Sequence, residues 1–500
     1  MMRRALIILY FFFSFHVFSG EKSLFILNST DIHAKLEDSA DESGRIPNIL
    51  RLSGLIRNRR SEIGEANVIS IDCGDILQGS FAGMFSRGEI SSEFLRRNSY
   101  DVWVPGNHDF DFGFERFEEL SGKIPRTAIL ALNIQGKGIL AWKMFQKNGL
   151  KIAVIGASLS YLDSFNMKMT GDFRIEGKLD SIIPEIMRES PNAIIMAIHQ
   201  GIYSPKERGG ADLAKIASRY PQINLFLGGH SHEDNPGRKI GRASWFVQAG
   251  CHAKTLAEIE MLFDDSNGKL LDISSRMLDV TIESKKDMEL LSSVKGMIDD
   301  SGKCASEIVG ETLHRIPNVD EGVIDCEIRE LISASMCAAS GAEIAFSGCG
   351  TGIAGFEGKI RKGDLFRLLP YEDRICTLNL SPDQFKEIIS EQTRKFDPRH
   401  FYMPWGIFCD YNEDKGEYTL KMQSGQQWIE GEKTVAFSSF ALSGAGGRFP
   451  ALANIAKNPQ SSFSDTGINL RDAVGAFIQN KSPLSIKTRL WIDKSVIKTP

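Results

Sequence analysis

The chain has 500 residues, 42% of them hydrophobic and 25% charged. That length is too great for one ordinary core, and the composition is that of a globular protein with two or more domains. A formal net charge of −5 and an isoelectric point near 6.1 exclude a broadly basic surface for a nucleic-acid polymer.

Residues 1–20 read as a secretory signal. Met1-Met2-Arg3-Arg4 is the charged start, residues 5–17 are apolar, and Val17-Phe18-Ser19-Gly20 offers small residues for cleavage. The apolar run is short for a bilayer span, and the polar residues 494–500 carry no anchor tail. A periplasmic or extracellular location follows as the expectation, with no transmembrane anchor after cleavage. Eight cysteines then permit disulfides, but their irregular spacing fixes no pairing. Cys73, at a strand exit, reads as a small buried thiol.

From residue 23 to about 280, apolar strands alternate with amphipathic helical stretches, the pattern of a layered α/β fold. Helices are predicted at 49–59 and 92–97, a strand at 150–156 and a hairpin turn at 264–268. Residues 21–283 are expected to form this first domain. Residues 284–308, rich in Lys, Glu, Ser and Met at helical spacing, read as a helix joining it to a second α/β domain over 309–500. There, a helix is predicted at 326–340 and a strand at 343–346, followed by a Gly-rich stretch at 347–352. An apolar run at 365–369 leads into Pro370-Tyr371. A helix at 383–392, strands at 405–411 and 434–437, and a glycine loop at 442–450 complete it.

Five predicted strands end at metal-capable side chains. Leu24-Phe25-Ile26-Leu27 leads to Asp31-Ile32-His33, and Val68-Ile69-Ser70-Ile71 leads to Gly74-Asp75. Val102-Trp103-Val104 leads to Gly106-Asn107-His108-Asp109, with Asp111 two positions on. Ile194-Ile195-Met196-Ala197-Ile198 leads to His199, and Ile223-Asn224-Leu225-Phe226-Leu227 leads to Gly229-His230-Ser231-His232. Ligands of α/β sheets collect outside the carboxyl ends of the strands, so residues distant in sequence can converge there. A lone His after a strand, or a lone Gly-Asp, is ordinarily structural. Repetition at five exits carries the metal reading.

With His108 held apart, the set Asp31, His33, Asp75, Asn107, His199, His230 and His232 contains two Asp, four His and one Asn. Imidazole with carboxylate favours Zn, Mn, Fe or Ni over Ca. Seven donors exceed what one catalytic ion takes. If one carboxylate bridges, they suit two divalent ions about 3.5–4 Å apart. Asp75 is the natural bridge, because a carboxylate has two oxygens to share. His252, in the Gly250-Cys251-His252-Ala253 loop, reads as a structural or rim residue. His16 lies in the leader, and His314 and His400 have no ligand-like context.

In this order, D-x-H, G-D, G-N-H-D, a lone His and G-H-S-H resemble the calcineurin-like metallophosphoesterases. Spacing and the downstream chain narrow the resemblance to the 5′-nucleotidase family, which includes UDP-sugar hydrolases and 2′,3′-cyclic nucleotide phosphodiesterases. It spans nearly all of the mature chain. It implies that Asp31, His33 and His232 hold one ion, that Asn107, His199 and His230 hold the other, and that Asp75 joins both. It implies a catalytic dyad of His108 and Asp111, with hydrolysis by water activated on the metals. A protonated imidazole there would stabilise charge gathering on the phosphoryl oxygens. Asp111 would orient it and favour its charged form.

The Pro-aromatic element, Trp405-Gly406-Ile407 and the Gly446-Gly447-Arg448-Phe449 loop resemble the family's C-terminal substrate domain. That likeness implies that Phe401 and Phe449 sandwich a base. Stacking of this kind is worth roughly 1–3 kcal/mol per base. One departure stands out. The family's glycine segment carries an Asn at its start and an Arg at its end, where this chain has Ser347 and Thr351 or Gly352. A second family Arg aligns with Cys337. Backbone N–H groups from Gly350 to Gly352 offer an anion nest instead, and Arg374 or Arg448 is a candidate substitute. The expectation is hydrolysis of nucleoside 5′-monophosphates, with 2′,3′-cyclic nucleotides, nucleotide sugars or non-nucleotide phosphoesters as alternatives. The rival from another class is an inert surface binding protein that retains the fold, against which the complete ligand set argues.

Overall fold

The structure is a computed structural model that describes residues 20–162, 172–202, 210–317, 326–348, 355–395, 402–412, 416–443, 449–487 and 491. Among the described residues the N-terminal half contributes thirteen strands. They are β1 (Glu21–Ser29), β2 (Val68–Asp72), β3 (Val102–Trp103), β4 (Ala128–Leu130), β5 (Ile139–Leu140), β6 (Trp142–Lys147) and β7 (Leu150–Ala157). They continue with β8 (Ala193–Ile198), β9 (Ile223–Leu227), β10 (Asn235–Ile240), β11 (Ser244–Gln248), β12 (Thr255–Asp264) and β13 (Leu270–Asp279).

Two mixed sheets form, ordered β13-β12-β1-β2-β3-β4-β5 and β10-β11-β9-β8-β7-β6. The run from β1 to β5 is parallel, as is β7-β8-β9-β11. The period-2 pleat sorts their side chains between two layers. On β7, Ile152 and Val154 face the opposite sheet, while Ala153 and Ile155 face a helix layer. On β8, Ile195 and Ala197 go one way and Ile194, Met196 and Ile198 the other. A strand covered on both faces must be apolar throughout, and this is why β8 reads as one unbroken apolar run. The result is a sheet-on-sheet sandwich with helices outside, the layered α/β class expected.

The helices follow their caps. Asn48 Oδ1 accepts the Leu50 N–H at 2.7 Å and starts the helix Ile49–Ile63, which stops at Gly64 with φ +91°. It runs past the expected end at 59 because only Gly64 breaks it. The joining helix is Met288–Ser306, started by Asp287, which accepts the Glu289 and Leu290 N–H groups at 3.0 Å. The other Asp287 oxygen accepts from Ser53 Oγ and Arg97 Nε, tying this helix to two helices of the first half.

The second half is built on a five-stranded sheet, ordered Met403–Trp405, Ile344–Ser347, Lys433–Ser438, Arg374–Leu380, Ser464–Asn469. The single strand expected at 405–411 is two. Gly406, at φ +86°, turns the chain, so Ile407–Asn412 leaves the sheet and pairs with Glu417–Met422. A Cβ there would meet the Glu343 carbonyl oxygen at 2.5 Å, so glycine is required for close approach as well as for the turn. Glu327–Ser340 and Leu470–Lys481 cover one face of the sheet. The halves meet where Phe81 packs edge-on against Phe366 at 5.6 Å and Gln78 Nε2 donates to the Pro370 carbonyl. Among the described residues, all seven cysteines are free thiols, and no helix is long and apolar enough to cross a membrane.

Candidate metal centre and active site

The exits of β1, β2, β3, β8 and β9 place Asp31 and His33, Asp75, Asn107 and His108, His199, and His230 and His232 at one end of the sandwich. Five of these residues hold left-handed backbone: Asp31 and His33 at φ 51°, Asp75 at 55°, His230 at 68° and His232 at 59°. Such conformations persist in non-glycine residues only where surrounding contacts over-determine them. Here Asp31 N donates to Gly74 O at 2.8 Å and His33 N to Asp75 O at 3.0 Å, lacing the first two exits together. His108 N donates to Asp75 Oδ1 at 2.7 Å, and His230 N donates to Asp31 Oδ2 at 2.9 Å.

Asp109 is the hub of this backbone. Its fully buried carboxylate accepts from the N–H groups of Asp75 and Gly106 on one oxygen and of Ile76 and Leu77 on the other, at 2.8–3.1 Å. Burial, and then the Asp75 charge, raises its carboxyl to about 6, against the pull of those N–H groups. Along the chain nothing distinguishes Asp109 from its neighbours in the G-N-H-D string.

The donor atoms converge. His33 Nε2 lies 3.2 Å from His232 Nε2, His232 Nε2 lies 3.4 Å from Asp31 Oδ1, and His199 Nε2 lies 3.2 Å from Asp75 Oδ2. Asp31, His33 and Asp75 offer ligand atoms all within 4.8 Å of one another, and so do Asp75, His199 and His230. Asp75 belongs to both groups. Second contacts set the tautomers: His33 Nδ1 donates to Gln78 O at 2.8 Å and His199 Nδ1 to Cys73 O at 2.6 Å, which leaves each Nε2 as the lone-pair donor.

The residues fit divalent ions. Asn107 Oδ1 is buried without a hydrogen-bond partner, and His199 Nε2 faces only the Asp75 carboxylate at 3.2 Å without a well-formed hydrogen bond, a costly state unless something else satisfies them. Asp31 and Asp75 are 0% and 1% exposed. Burial opposes their ionisation, yet the neighbouring histidines, His232 for Asp31 and His199 for Asp75, hold both carboxyls below the usual range. Two buried carboxylates, orphaned N and O donors and pre-set imidazoles are the chemistry of a metal site.

Beside them His108 Nδ1 lies 2.9 Å from Asp111 Oδ2. Burial would lower the imidazole, but the carboxylates of Asp111 and Asp75 outweigh it and lift it to about 9. Tyr371 of the second half stacks on this ring, with centroids 5.1 Å apart and planes 18° apart. Arg471 holds Tyr371 in place by donating to the carbonyls of Leu369 and Tyr371 at 2.8 and 2.9 Å and to Glu372 at 3.0 Å. A cleft of about 860 Å³ opens from Asp111 between the halves, with Lys362, Glu372, Arg374 and Arg471 among its walls.

The expected substrate contacts fare differently. Phe401 and Gly350 lie outside the described residues, as does Arg448. Phe449 is described, and its ring is 0% exposed, packed edge-on to Tyr402 at 4.8 Å and near Phe346. In this arrangement it is a core side chain with no free face for a base. The glycines before it suggested a loop tip, whereas Phe449 starts the helix Pro450–Lys457 and turns inward. Arg374 does line the cleft, paired with Asp465 at 3.1 Å. His252, expected as a structural or rim residue, lies among the candidate ligands, with a ring nitrogen within 4.8 Å of those of His33 and His232. Its signal was the Trp245-Phe246-Val247 run of β11, a sixth strand exit that went unread.

Two outcomes follow. Asp109→Asn turns an amide NH₂ toward two N–H donors and should cost about 2 kcal/mol or more, read as a lower thermal midpoint. An unchanged midpoint would remove Asp109 from its hub role. Phe449→Ala should cost about 3–5 kcal/mol, as for other fully buried aromatics. A variant as stable as the parent would return Phe449 to the list of substrate contacts.

Comparison with known proteins agrees with this geometry. The calcineurin-like phosphoesterase family model matches residues 26–234, and that of the 5′-nucleotidase C-terminal domain matches residues 308–454. A 5′-nucleotidase-related protein of Glossina morsitans morsitans is 25% identical over 93% of each chain. The fold is shared with a putative 5′-nucleotidase of Staphylococcus aureus, at a TM-score of 0.77 and 15% identity, covering 94% of this chain and 99% of that one. It is also shared with the NAD nucleotidase of Haemophilus influenzae, at a TM-score of 0.58 and 16% identity over 94% and 99%. The chain therefore belongs to the 5′-nucleotidase family of calcineurin-like metallophosphoesterases and is a metal-dependent phosphoester hydrolase.

Proposed function

We propose that this protein is an exported two-metal phosphoesterase that hydrolyses nucleoside 5′-monophosphates to nucleoside and phosphate, as in nucleotide salvage. The observation that carries the reading is Asp75, shared by two donor groups and hydrogen-bonded to the backbone of the His108–Asp111 dyad. Asp31, His33 and His232 would hold one ion and Asn107, His199 and His230 the other, with Asp75 on both. The donor set suits Zn or Mn. Bound there, such ions supply Lewis acidity and bring the pKa of a water toward about 7.

The chain's own residues supply the rest. Asp111 occupies His108 Nδ1 and keeps the ring charged, leaving Nε2 for the substrate. A charged imidazole beside the phosphoryl group offsets the negative charge spread over its equatorial oxygens. Tyr371 covers one face of that imidazole and limits its contact with water. The cleft that opens from Asp111 would give the leaving group room, with Arg374, paired with Asp465, and Arg471, paired with Glu372, in its walls. The leader pattern of residues 1–20 supports export.

A second reading rests on Phe449. With that ring buried and Ser347 and Cys337 where family members have Asn and Arg, the usual nucleotide contacts are depleted. Cys337 itself packs in the core. Dinucleotides, 2′,3′-cyclic nucleotides, nucleotide sugars and non-nucleotide phosphoesters remain substrates to test.

Asp75→Asn should lose both ions and His199→Ala mainly one, measured by elemental analysis of the purified variants. Two ions per chain in Asp75→Asn would defeat the bridging assignment. His108→Ala should keep its metals while kcat falls roughly 10²–10³-fold, the scale of a lost transition-state contact. Metal-free His108→Ala would make His108 a ligand. Chromatographic analysis of all products, with phosphate release beside it, from a panel of AMP, UMP, 2′,3′-cyclic AMP, NAD, UDP-glucose and p-nitrophenyl phosphate decides the substrate. Chelator should abolish every activity, and the monophosphates should lead. Brisk turnover of another ester without AMP turnover moves the function out of 5′-nucleotidase activity, and no turnover of any ester favours the inert binding protein.

A further inference from the structure

The loop after β11 adds to the site from a direction the five motif exits do not. β11 ends at Gln248, and within four residues the chain delivers Cys251 and His252. The His252 ring centroid lies 5.3 Å from that of His33 and 5.3 Å from that of His232. His33, His232 and His252 thus form a third group of donors, overlapping the first ion's set at two members.

The loop is held as firmly as the other ligand loops. His252 N donates to the Asp31 carbonyl at 2.6 Å, so its backbone is anchored to a residue of the first ion's set. Gly250 N donates to Thr255 Oγ1 at 2.7 Å, and Lys254 N donates to Cys251 O at 3.2 Å. His252 and Ala253 are both left-handed, at φ 57° and 59°. Two such residues in succession need outside contacts to persist, and these supply them. Cys251 Sγ lies 3.4 Å from His252 Nδ1. With the sulfur as acceptor, that contact occupies Nδ1 and leaves the Nε2 lone pair for an ion.

We propose that His252 is an additional ligand of the first ion, completing an imidazole-rich set of His33, His232 and His252 with the carboxylates of Asp31 and Asp75. This rests on the two-metal reading above and deepens it. Three imidazoles shift a site toward nitrogen-preferring ions such as Zn, Co or Ni and away from Mn or Mg. The consequence is an asymmetric centre, in which the first ion is selected for zinc-like chemistry more strongly than the second.

The test uses the full chain, stripped by chelator and titrated with Zn²⁺ against a chromophoric competitor, and separately with Mn²⁺ and Co²⁺. His252→Asn removes the imidazole but keeps a residue that tolerates left-handed backbone. His252→Gln serves if the apo thermal midpoint of the first variant drops. The expected result is that one of the two Zn²⁺ ions is weakened about 10–100-fold while the other is unchanged. The Zn-over-Mn preference of that site should fall, and the visible absorption of the Co²⁺ form should change. His33→Ala is the control. If it loses one ion while the His252 variant keeps both affinities and the parent Co²⁺ spectrum, His252 is no ligand. If His33→Ala also binds both ions like the parent, the metal-centre reading itself falls, and this proposal with it.

Discussion

Two carboxylates without solvent contact set the terms for the rest of this molecule. Asp31 and Asp75 leave the first two parallel strands directly into the protein interior. An isolated buried carboxylate is costly enough that it must be neutralised or paired. Everything around them answers that demand. Histidines arrive from β8 and β9, and amide donors come from the His108 and His230 backbone. The sandwich of apolar sheets makes the demand severe, because it removes the water that would otherwise satisfy both groups. The same burial then makes the site strong, since electrostatic interactions gain weight in a water-poor environment.

The second half reaches this centre through one short segment. Arg471, itself nearly buried, grips the chain at 369–372 and lies 5.1 Å over the Phe366 ring. Phe366 in turn packs on Phe81 of the first half. Tyr371 rides on the gripped segment and meets His108. The His108 imidazole is therefore positioned by its own half on one edge, through Asp111, and by the other half on one face.

The sequence was most legible where physics is local. Apolar runs ending in Asp, Asn or His marked five of the six exits. The helices at 49–59 and 284–308 were legible in kind, while their bounds at Ile49–Ile63 and Met288–Ser306 are set by Asn48, Gly64 and Asp287. It was less legible where meaning depends on a distant partner. Gly406 looked like part of one strand because its close approach to Glu343 cannot be read along the chain. Phe449 looked like a loop aromatic because the turn that buries it is tertiary. Asp109 was hidden by its neighbours, since a carboxylate that organises backbone carries the same letter as one that binds metal. His252 escaped because Gly250-Cys251-His252-Ala253 matches none of the five motifs, and its nearness to His33 and His232 is tertiary.

The left-handed backbone at the candidate ligands has an evolutionary consequence. Among non-glycine residues, Asn, Asp and His enter that conformation most readily. They are also the side chains that bind borderline divalent ions. Drift at positions 31, 33, 75, 230, 232 or 252 that respects the backbone therefore lands most often on another ligand. A centre built this way can exchange oxygen for nitrogen donors one residue at a time without rebuilding its loops. Its metal preference can wander over generations while the scaffold beneath it stands still.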